Sequence, residues 1–405
     1  MSDTRHAARL ALLRLAGRPV AGLGRLGRPA VEAGRTPRIL LVRPDHLGDL
    51  LLATPTATVL REALPEARID WLVGPWNREL ACRAGGPADV LTLEFPGFTR
   101  RSKASAVEPY ALLVREAARL RAHAYDAALI LRPDHWWGAM LASVAGIPRR
   151  FGYSVAECTP FLTDTLPPPS GRHQHAVRAN QTLARLAAAR LSGRPPTRLL
   201  YDPHFAVRPD ELDWARAWIA ASFGGQTSEG RVAALHPGSG AILKNWLPER
   251  WAELVRCLRA DHGARVFVTG GPGDREGVES IAAHLDSRPP VLIGETTLGQ
   301  LAALFASADL VLGCDSGPLH LAAAVGARTI RLYGPTDPVE FGPWAPRDEA
   351  ARHRAVAAAL PCQPCRALVG PPCGAVAQPA CMQAIGVSQV LSESNEILAR
   401  VRKPC

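Results

Sequence analysis

Residues 309–325 read DLVLGCDSGPLHLAAAV, and this stretch decides the fold. The apolar run at 309–313 predicts a buried strand, and Pro318 suits the first turn of a helix predicted over 318–325. A second apolar run follows at 328–333. A buried strand, a helix and another buried strand in succession are typical of a parallel sheet covered by helices on both faces.

The same alternation extends in both directions from this stretch. Strands are predicted at 38–43, 69–73, 88–93, 127–131, 231–235, 264–269, 290–293, 309–313 and 328–333. Helices are predicted at 50–60, 174–191, 248–261, 274–285, 298–307, 318–325 and 387–401. Breaks rich in Pro and Gly place a boundary near 192–208, so we predict an α/β protein with two Rossmann-like halves.

Four regions follow from these patterns. We predict a basic N-terminal extension at 1–36, an N-terminal domain at 37–200, a C-terminal domain at 205–350, and a tail with cysteines and a closing helix at 351–405. In parallel α/β sheets, ligands bind outside the carboxyl ends of the strands. Two such domains facing each other would place the site in the cleft between them.

Composition narrows the class of protein. The 405 residues are 47% hydrophobic, with a net charge of +10, of which +5 lies in residues 1–36. The remainder is only mildly basic, which argues against a nucleic-acid partner. We expect no transmembrane helix and no export signal, hence a cytoplasmic protein. Residues 6–28 could form an amphipathic helix on anionic lipid or a flexible extension.

Three loops at predicted strand ends carry candidate chemistry. Asp49 follows the first strand and could act as a general base or simply complement a helix dipole. Ser239 and Lys244 follow the strand that ends near His236, in a loop whose amides suit an anion. Only three of the 47 cationic side chains are lysines, so an internal Lys where Arg is the rule indicates a need for a compact ammonium.

The third loop is the one quoted first. Asp315, Ser316 and Gly317 begin a helix whose amides at 316–318 predict a phosphate site, and His320 falls in its first turn. Together with Lys244 these residues predict a diphosphate site, as a nucleotide-sugar donor would need. Glu276, beside a glycine-rich loop, is a weaker candidate for binding nucleoside hydroxyls.

Four cysteines cluster near the C-terminus with the spacing Cys-x2-Cys-x7-Cys-x7-Cys. This spacing could hold a structural zinc ion, form a redox-sensitive cluster or provide four packed thiols, and we expect no catalytic role for it. The residues are Cys362, Cys365, Cys373 and Cys381.

These motifs together resemble glycosyltransferase family 9, the ADP-heptose:lipopolysaccharide heptosyltransferases, over roughly residues 37–400. The resemblance rests on six stretches of sequence: Ile39-Leu-Leu-Val-Arg43 with Leu47-Gly-Asp49, His236-Pro-Gly-Ser239 with Lys244 and Trp246, Asp315-Ser-Gly-Pro-Leu-His320, Tyr333-Gly-Pro-Thr-Asp-Pro338, Gly342-Pro-Trp344, and the cysteine cluster. Two departures stand out. Ser316 replaces a threonine common in relatives, and Pro44-Asp-His-Leu47 replaces a hydroxyl-rich loop, so the acceptor edge is expected to differ.

The resemblance implies a GT-B fold with sheets facing across a cleft, and inverting, metal-independent transfer of heptose from ADP-heptose to the lipopolysaccharide core. Asp49 matches the proposed base, Lys244 the phosphate-binding lysine, and Asp315, Ser316, Gly317 and His320 the donor loop. The implied partners are a nucleotide-sugar donor and a lipid-linked or polysaccharide acceptor, with peripheral contact at the cytoplasmic face of the inner membrane and no required cofactor. The alternatives are a nucleotide-sugar epimerase and a non-catalytic nucleotide-sugar-binding paralogue.

Overall fold

The computed structural model describes residues 35–99, 105, 107–169, 174–198, 200–224, 230–344 and 350–400. The chain divides into two compact units, the first ending at Tyr201 and the second beginning at Asp202. Most of the predicted basic extension, including the stretch 6–28, lies outside the described residues. No helix in the described ranges is long and apolar enough to cross a membrane.

The first unit is built on a six-stranded parallel sheet. Its strands are β1 (Arg38–Arg43), β2 (Arg68–Val73), β3 (Asp89–Thr92), β4 (Ala127–Ile130), β5 (Arg149–Tyr153) and β6 (Asp164–Leu166), in the spatial order β3-β2-β1-β4-β5-β6. Its helices are Leu47–Ala53, Pro55–Ala63, Arg78–Arg83, Glu108–Ala122, Trp136–Val144 and Ala176–Ser192. The apolar interior of β1 is fully buried because this strand pairs with neighbours on both sides.

The second unit repeats this plan. Its strands are β7 (Val232–His236), β8 (Arg265–Gly270), β9 (Val291–Ile293), β10 (Leu310–Cys314), β11 (Thr329–Tyr333) and β12 (His353–Ala357), in the order β12-β11-β10-β7-β8-β9. Its helices are Pro209–Ser222, Pro248–His262, Arg275–Ala283, Leu298–Ala306, Gly317–Ala324, Pro338–Phe341, Ala380–Gln383 and Val387–Ala399. Separate apolar clusters cover the two faces of this sheet. The prediction of an α/β protein with two parallel sheets is therefore confirmed.

Three of the twelve strands, β5, β6 and β12, were not predicted. Two further details differ from the sequence-based predictions. The helix predicted over 50–60 begins earlier, at Leu47, and is interrupted at Thr54, because Pro55 starts a second helix there. The segment after 350 contributes β12, which pairs in parallel with β11, and the helix Val387–Ala399 packs into the core of the second unit. Residues 351–400 are thus part of the second sheet's architecture and not a separate appendage.

Candidate active site

The donor loops lie side by side because of strand order. Strands β7 and β10 are paired neighbours, with Gly313 opposite His236, so the loops that follow them leave the same edge of the sheet. Lys244, in a short 3₁₀ turn, places its Nζ 3.4 Å from Oδ2 of Asp315. Both side chains are largely buried, with exposed fractions of 13% and 7%. Two residues that are 71 positions apart in sequence therefore form one ion pair at the predicted diphosphate site.

Asp315 also faces the ring of His320, whose Nε2 lies 3.7 Å from Oδ1. Burial alone would raise the pKa of Asp315. The neighbouring His320 ring and the Lys244 ammonium outweigh burial and hold that pKa well below its usual range. The carboxylate is therefore ionised, and we infer that it orients the lysine and the histidine and does not itself bind phosphate, which is also negative.

A buried arginine completes this array. Arg331, on β11, is fully buried, and its Nη1 lies 2.9 Å from Nδ1 of His320. A guanidinium can only donate hydrogen bonds, so Nδ1 accepts and the imidazole carries its proton on Nε2. Within the described structure, Nε and Nη2 of Arg331 have no hydrogen-bond partner. The array of Arg331, neutral His320, Asp315 and Lys244 thus carries one net positive charge, which favours an anion.

The helix Gly317–Ala324 begins at this array. Ser316 is its N-cap, and the buried Ser316 hydroxyl has no hydrogen-bond partner among the described residues. The prediction that amides 316–318 all donate is wrong for Pro318, which has no N–H. The N–H groups of Leu319 and His320 bond to the carbonyl of Ser316, which leaves the N–H groups of Ser316 and Gly317 as the donors at the helix start. A ligand here meets the amides of Ser316 and Gly317 and the Ser316 hydroxyl.

Ser239 acts within its own loop. Its Oγ lies 2.7 Å from both the Ala241 carbonyl and Oδ1 of Asn245, so its single proton is shared between acceptors of the same loop. Ser239 therefore shapes the turn that carries Lys244. Any contact of its hydroxyl with an anion would require this local bond to break.

The glycine-rich loop after β8 contributes Asp274, which the sequence analysis did not single out. Its Oδ2 accepts a hydrogen bond of 2.8 Å from the Gly271 N–H. A Cβ on Gly238 would lie only 2.2 Å from the Asp274 carboxyl carbon, so the absence of a side chain at Gly238 lets the two loops meet. Glu276 is exposed in the first turn of the helix Arg275–Ala283. Of the two acids, Asp274 is the one in contact with the donor loops.

In the first unit, Asp49 lies in the first turn of the helix Leu47–Ala53, and its side chain is 40% exposed. Nη2 of Arg43 lies 3.3 Å from Oδ1 of Asp49. The same guanidinium places Nε 2.7 Å from Oδ2 of buried Asp45 and donates from Nη1 to the Leu131 carbonyl at 2.7 Å. Arg43 is therefore held on three sides, and it fixes a solvent-accessible carboxylate at the carboxyl end of β1.

An aromatic pair flanks the same loop. His46, the N-cap of the Asp49 helix, packs against Trp76 with ring centroids 5.3 Å apart. The Trp76 indole N–H donates to the Asp45 carbonyl at 3.0 Å, and the ring remains 38% exposed. A flat, partly exposed indole beside a carboxylate is suited to packing against a sugar ring.

The four clustered cysteines line one small cavity of about 30 Å³ together with Leu243, Gly334 and several prolines. Cys381 is buried, Cys365 is half-buried, and Cys362 and Cys373 are exposed. Burial, with smaller contributions from Cys365 and Cys362, raises the pKa of Cys381. Among the described residues, no three His, Cys, Asp or Glu side chains are placed to hold a metal ion, and a structural zinc ion at the four cysteines stays a prediction.

Comparison with known proteins shows the family to which the chain belongs. Two α/β units, each with a six-stranded parallel sheet, are the architecture of glycosyltransferases with two Rossmann-like domains. The family model described as glycosyltransferase family 9 (heptosyltransferase) matches residues 113–368, and the chain belongs to that family. Lipopolysaccharide heptosyltransferase 2 of Escherichia coli (strain K12) is 26% identical over 315 residues, covering 76% of this chain and 85% of that protein.

Solved structures agree on the fold. A family 9 glycosyltransferase from Veillonella parvula superimposes with a TM-score of 0.73 at 22% identity, covering 92% of this chain and all of the other. An E. coli heptosyltransferase solved with ADP gives a TM-score of 0.62 at 21% identity, covering 89% and 99%. The predictions of a GT-B-type fold and of a family 9 glycosyltransferase are confirmed.

The predicted site residues divide into groups. Five of them lie together in the second unit: Lys244, Asp315, Ser316, Gly317 and His320. Ser239 supports the loop that carries Lys244, and Asp49 lies in the first unit. Four further residues of the site were not predicted: Arg43, Asp45, Asp274 and Arg331. Both arginines gave a local signal: Arg331 is a charged residue inside the predicted buried strand 328–333, and Arg43 ends the first predicted strand.

Proposed function

We propose that this chain transfers a heptose from ADP-heptose to the core of a lipopolysaccharide, with inversion at the anomeric carbon. The observation that carries the proposal is the buried array of Arg331, His320, Asp315 and Lys244 beside the start of the helix Gly317–Ala324. A net positive charge and an unpaired hydroxyl in a buried site are costly unless an anion binds there.

The donor is proposed from this chemistry and from the relatives. The diphosphate of a nucleotide sugar supplies the negative charge that the array lacks. Relatives of this chain carry the name lipopolysaccharide heptosyltransferase, and E. coli heptosyltransferase structures contain ADP or ADP-2-deoxy-2-fluoro heptose. ADP-heptose is therefore the donor to test first.

The transfer step needs one base and no general acid. An acceptor hydroxyl attacks the anomeric carbon, its proton passes to Asp49, and the bond from that carbon to the diphosphate oxygen breaks with its electron pair. The chemistry requires Asp49 to reach the sugar from the side opposite the diphosphate. A single displacement of this kind inverts the anomeric centre.

The leaving diphosphate gains negative charge during the step. Lys244 and the Nε2–H of His320, together with the Gly317 N–H, are the donors that would stabilise it, and they are already held in place before reaction. No protonation of the leaving group is required, since ADP is a stable anion at neutral pH. We propose that transfer requires no metal or other cofactor, with Lys244 and Arg331 supplying the positive charge.

The acceptor indicates where in the cell the protein would act. A lipopolysaccharide acceptor is anchored in lipid, so we propose that the protein works in peripheral contact with a membrane, at the cytoplasmic face where a cytoplasmic nucleotide sugar is available. The exposed Trp76 beside Asp49 is the surface we assign to the acceptor sugar.

A donor screen tests the proposal. Calorimetry with ADP-heptose and with UDP-, GDP- and CMP-linked sugars is expected to show binding of ADP-heptose above the others. Mass spectrometry of a heptose-free core acceptor should then show addition of one heptose. An ADP-heptose that binds no better than the other donors would contradict the donor assignment. A product that is an altered nucleotide sugar would indicate an epimerase, and binding without any product a non-catalytic paralogue.

A further inference from the structure

Residues 334–337, with the sequence Gly-Pro-Thr-Asp, form a loop after β11 in the second unit, and all four are buried. We call them the β11 loop. Strand β11 pairs in parallel with β10, with Leu332 opposite Cys314, so this loop leaves the sheet beside the loop that carries Asp315. The Asp315 N–H donates to the Leu332 carbonyl at 3.0 Å, which joins the two loops where they begin. The β11 loop therefore borders the donor site.

Thr336 is a buried polar side chain of this loop. It is only 8% exposed, and its hydroxyl has no hydrogen-bond partner of good geometry among the described residues. The hydroxyl of Ser316, on the neighbouring loop, is buried and unpartnered in the same way. Burying a hydroxyl without a partner costs free energy, so two such hydroxyls at adjacent strand ends indicate a ligand that supplies the missing partners.

Thr336 lies beside the ionised carboxylate of Asp315. Burial would raise the pKa of Asp315, but His320, Lys244 and, to a smaller extent, Thr336 lower it instead. A phosphate oxygen can only accept hydrogen bonds, and the carboxylate would repel it at this position. A sugar hydroxyl both donates and accepts, so it can donate to Asp315 and accept from Thr336. The chemistry on this side of the array therefore favours a sugar hydroxyl over a phosphate.

Strand order gives the donor a direction along the edge of the second sheet. The order β11-β10-β7-β8 places the pair of Lys244 and Asp315 between the β11 loop and the glycine-rich loop that follows β8. The diphosphate is proposed to bind at Lys244 and the helix start, and the loop after β8 is the one predicted to bind nucleoside hydroxyls. A donor that lies along this edge brings its transferred sugar to the β11 loop.

The β11 loop is held by Arg366, from the segment that carries the four cysteines. Nη2 of Arg366 lies 2.6 Å from Oδ2 of Asp337 and 3.1 Å from Oε2 of Glu340. The Arg366 N–H donates to the Pro335 carbonyl at 2.7 Å. Arg366 has a φ of 59°, a left-handed conformation that is strained for a residue with a side chain, so its surroundings must hold it there. These contacts fix the residues on both sides of Thr336.

We infer that Thr336 contacts the donor through a hydrogen bond between its hydroxyl and a hydroxyl group of the transferred sugar, and that Arg366 is a positioning residue for this contact. The inference rests on the proposed function, because it requires a nucleotide sugar bound along the edge of the second sheet. The sugar makes the contact and the nucleotide does not. Thr336 therefore contributes to the choice of donor sugar and has no partner in ADP alone.

Calorimetry with ADP and with ADP-heptose on Thr336→Val tests the inference. Valine has nearly the same shape as threonine but no hydroxyl. We expect the affinity for ADP-heptose to fall about three- to tenfold, while the affinity for ADP stays within about twofold. Thr336→Ser restores the hydroxyl and should recover most of the lost affinity. The melting temperature of Thr336→Val should be unchanged or raised, because the hydroxyl that is removed bonds to no protein group.

Thr329→Val is a matched control on the same strand. The buried Thr329 hydroxyl lies 2.9 Å from Nδ1 of His353, so its loss should lower the melting temperature and leave both affinities unchanged. Arg366→Met should weaken ADP-heptose binding and spare ADP binding. In the double variant of Thr336→Val and Arg366→Met the two losses should not add, because the arginine acts through the threonine. If Thr336→Val does not fold, Arg366→Met decides by the same comparison of the two ligands.

Two results would overturn the inference. ADP-heptose affinity that is equal in Thr336→Val and wild type would remove Thr336 from the donor site. An equal loss for ADP and ADP-heptose would place the hydroxyl on the nucleotide and not on the sugar. Failure of the proposed function gives a different pattern: wild type itself then binds ADP-heptose no better than UDP-, GDP- or CMP-linked sugars, and the inference falls with it.

Discussion

Nη1 of Arg331 lies 2.9 Å from Nδ1 of His320, which fixes the imidazole as the Nε2–H tautomer. The arginine side chain is fully buried in the strand beneath the donor loops. A permanent charge in that position is expensive to bury, and a bound diphosphate offsets the cost. The buried Arg331 guanidinium therefore determines which nitrogen of His320 carries the proton, and it adds a positive charge beneath the donor loops.

Replacing Arg331 with Met should separate stability from function. Methionine keeps an unbranched apolar stem but has no N–H to donate to His320, so the tautomer is no longer fixed. We expect donor affinity to fall by about 1.5–3 kcal/mol, the range for a hydrogen bond to a charged group, with the melting temperature unchanged or raised. Calorimetry measures the affinity, and ¹⁵N chemical shifts of His320 report the tautomer. Unchanged shifts and affinity would show that Arg331 plays no part at the site.

Lys244→Ala should weaken binding of the nucleotide-sugar donor by roughly 1.5–3 kcal/mol. The substitution removes the ammonium 3.4 Å from Asp315 and leaves a buried carboxylate with one partner fewer, so some loss of stability is expected too. Arg256→Ala, on the helix Pro248–His262 where the arginine donates to the His284 carbonyl, is the control for loss of a cation. Equal donor affinity in Lys244→Ala and wild type would remove Lys244 from the donor site.

Acid should destabilise the protein below about pH 6.5. Burial lowers the pKa of His135 to about 3, of His236 to about 4 and of His353 to about 3. These histidines therefore take up protons near pH 6.5 in the unfolded chain but not in the folded chain. The stability that is present above that pH is lost as pH falls toward 4.

The size of this loss can be stated for each unit. Between pH 7.5 and 5.5, each such histidine should lower the free energy of unfolding by about 1.4 kcal/mol, hence about 1.4 kcal/mol in the first unit and about 3 in the second. Urea denaturation followed by tryptophan fluorescence at the two pH values measures it. His353→Gln should reduce the pH dependence of the second unit, whereas curves that do not depend on pH would show that these histidines titrate normally.

Transfer should survive EDTA. The sequence contains no Asp-x-Asp pair to hold a divalent cation against a diphosphate, and Lys244 with Arg331 provides positive charge in its place. Initial rates with EDTA should equal those with added magnesium within about twofold, whereas removing a catalytic divalent ion would abolish several kcal/mol of transition-state stabilisation. A rate that depends strictly on magnesium or manganese would refute metal-independent transfer.

The features predicted from the sequence are those that a short stretch of residues determines by itself. Buried runs followed by Gly, Pro or Asp identified nine strands, and strand order then brought Lys244 to Asp315. Three strands were missed because they lack an apolar run: Arg149–Tyr153 begins with two arginines, Asp164–Leu166 has only three residues, and only His353 and Val356 of His353–Ala357 are buried. The helix interruption at Thr54 could have been predicted from Pro55, because proline favours the first turn of a new helix. The pairing of Arg331 with His320 and the approach of Asp274 to Gly238 depend on how neighbouring strands and loops pack, which the sequence pattern does not contain.

The most direct measurement is the transfer rate of Asp49→Asn with ADP-heptose and a heptose-free core acceptor. Asparagine keeps the size and most of the hydrogen bonding but cannot take the acceptor's proton. With Asp49 as the base, turnover should fall about 10²–10⁴-fold while donor affinity and melting temperature stay near wild type. Asp134→Asn changes an exposed acid of the same unit and should keep the wild-type rate. A near-normal rate in Asp49→Asn, with at most about 1 kcal/mol lost in stability, would reduce Asp49 to a helix-terminal acid and contradict the mechanism.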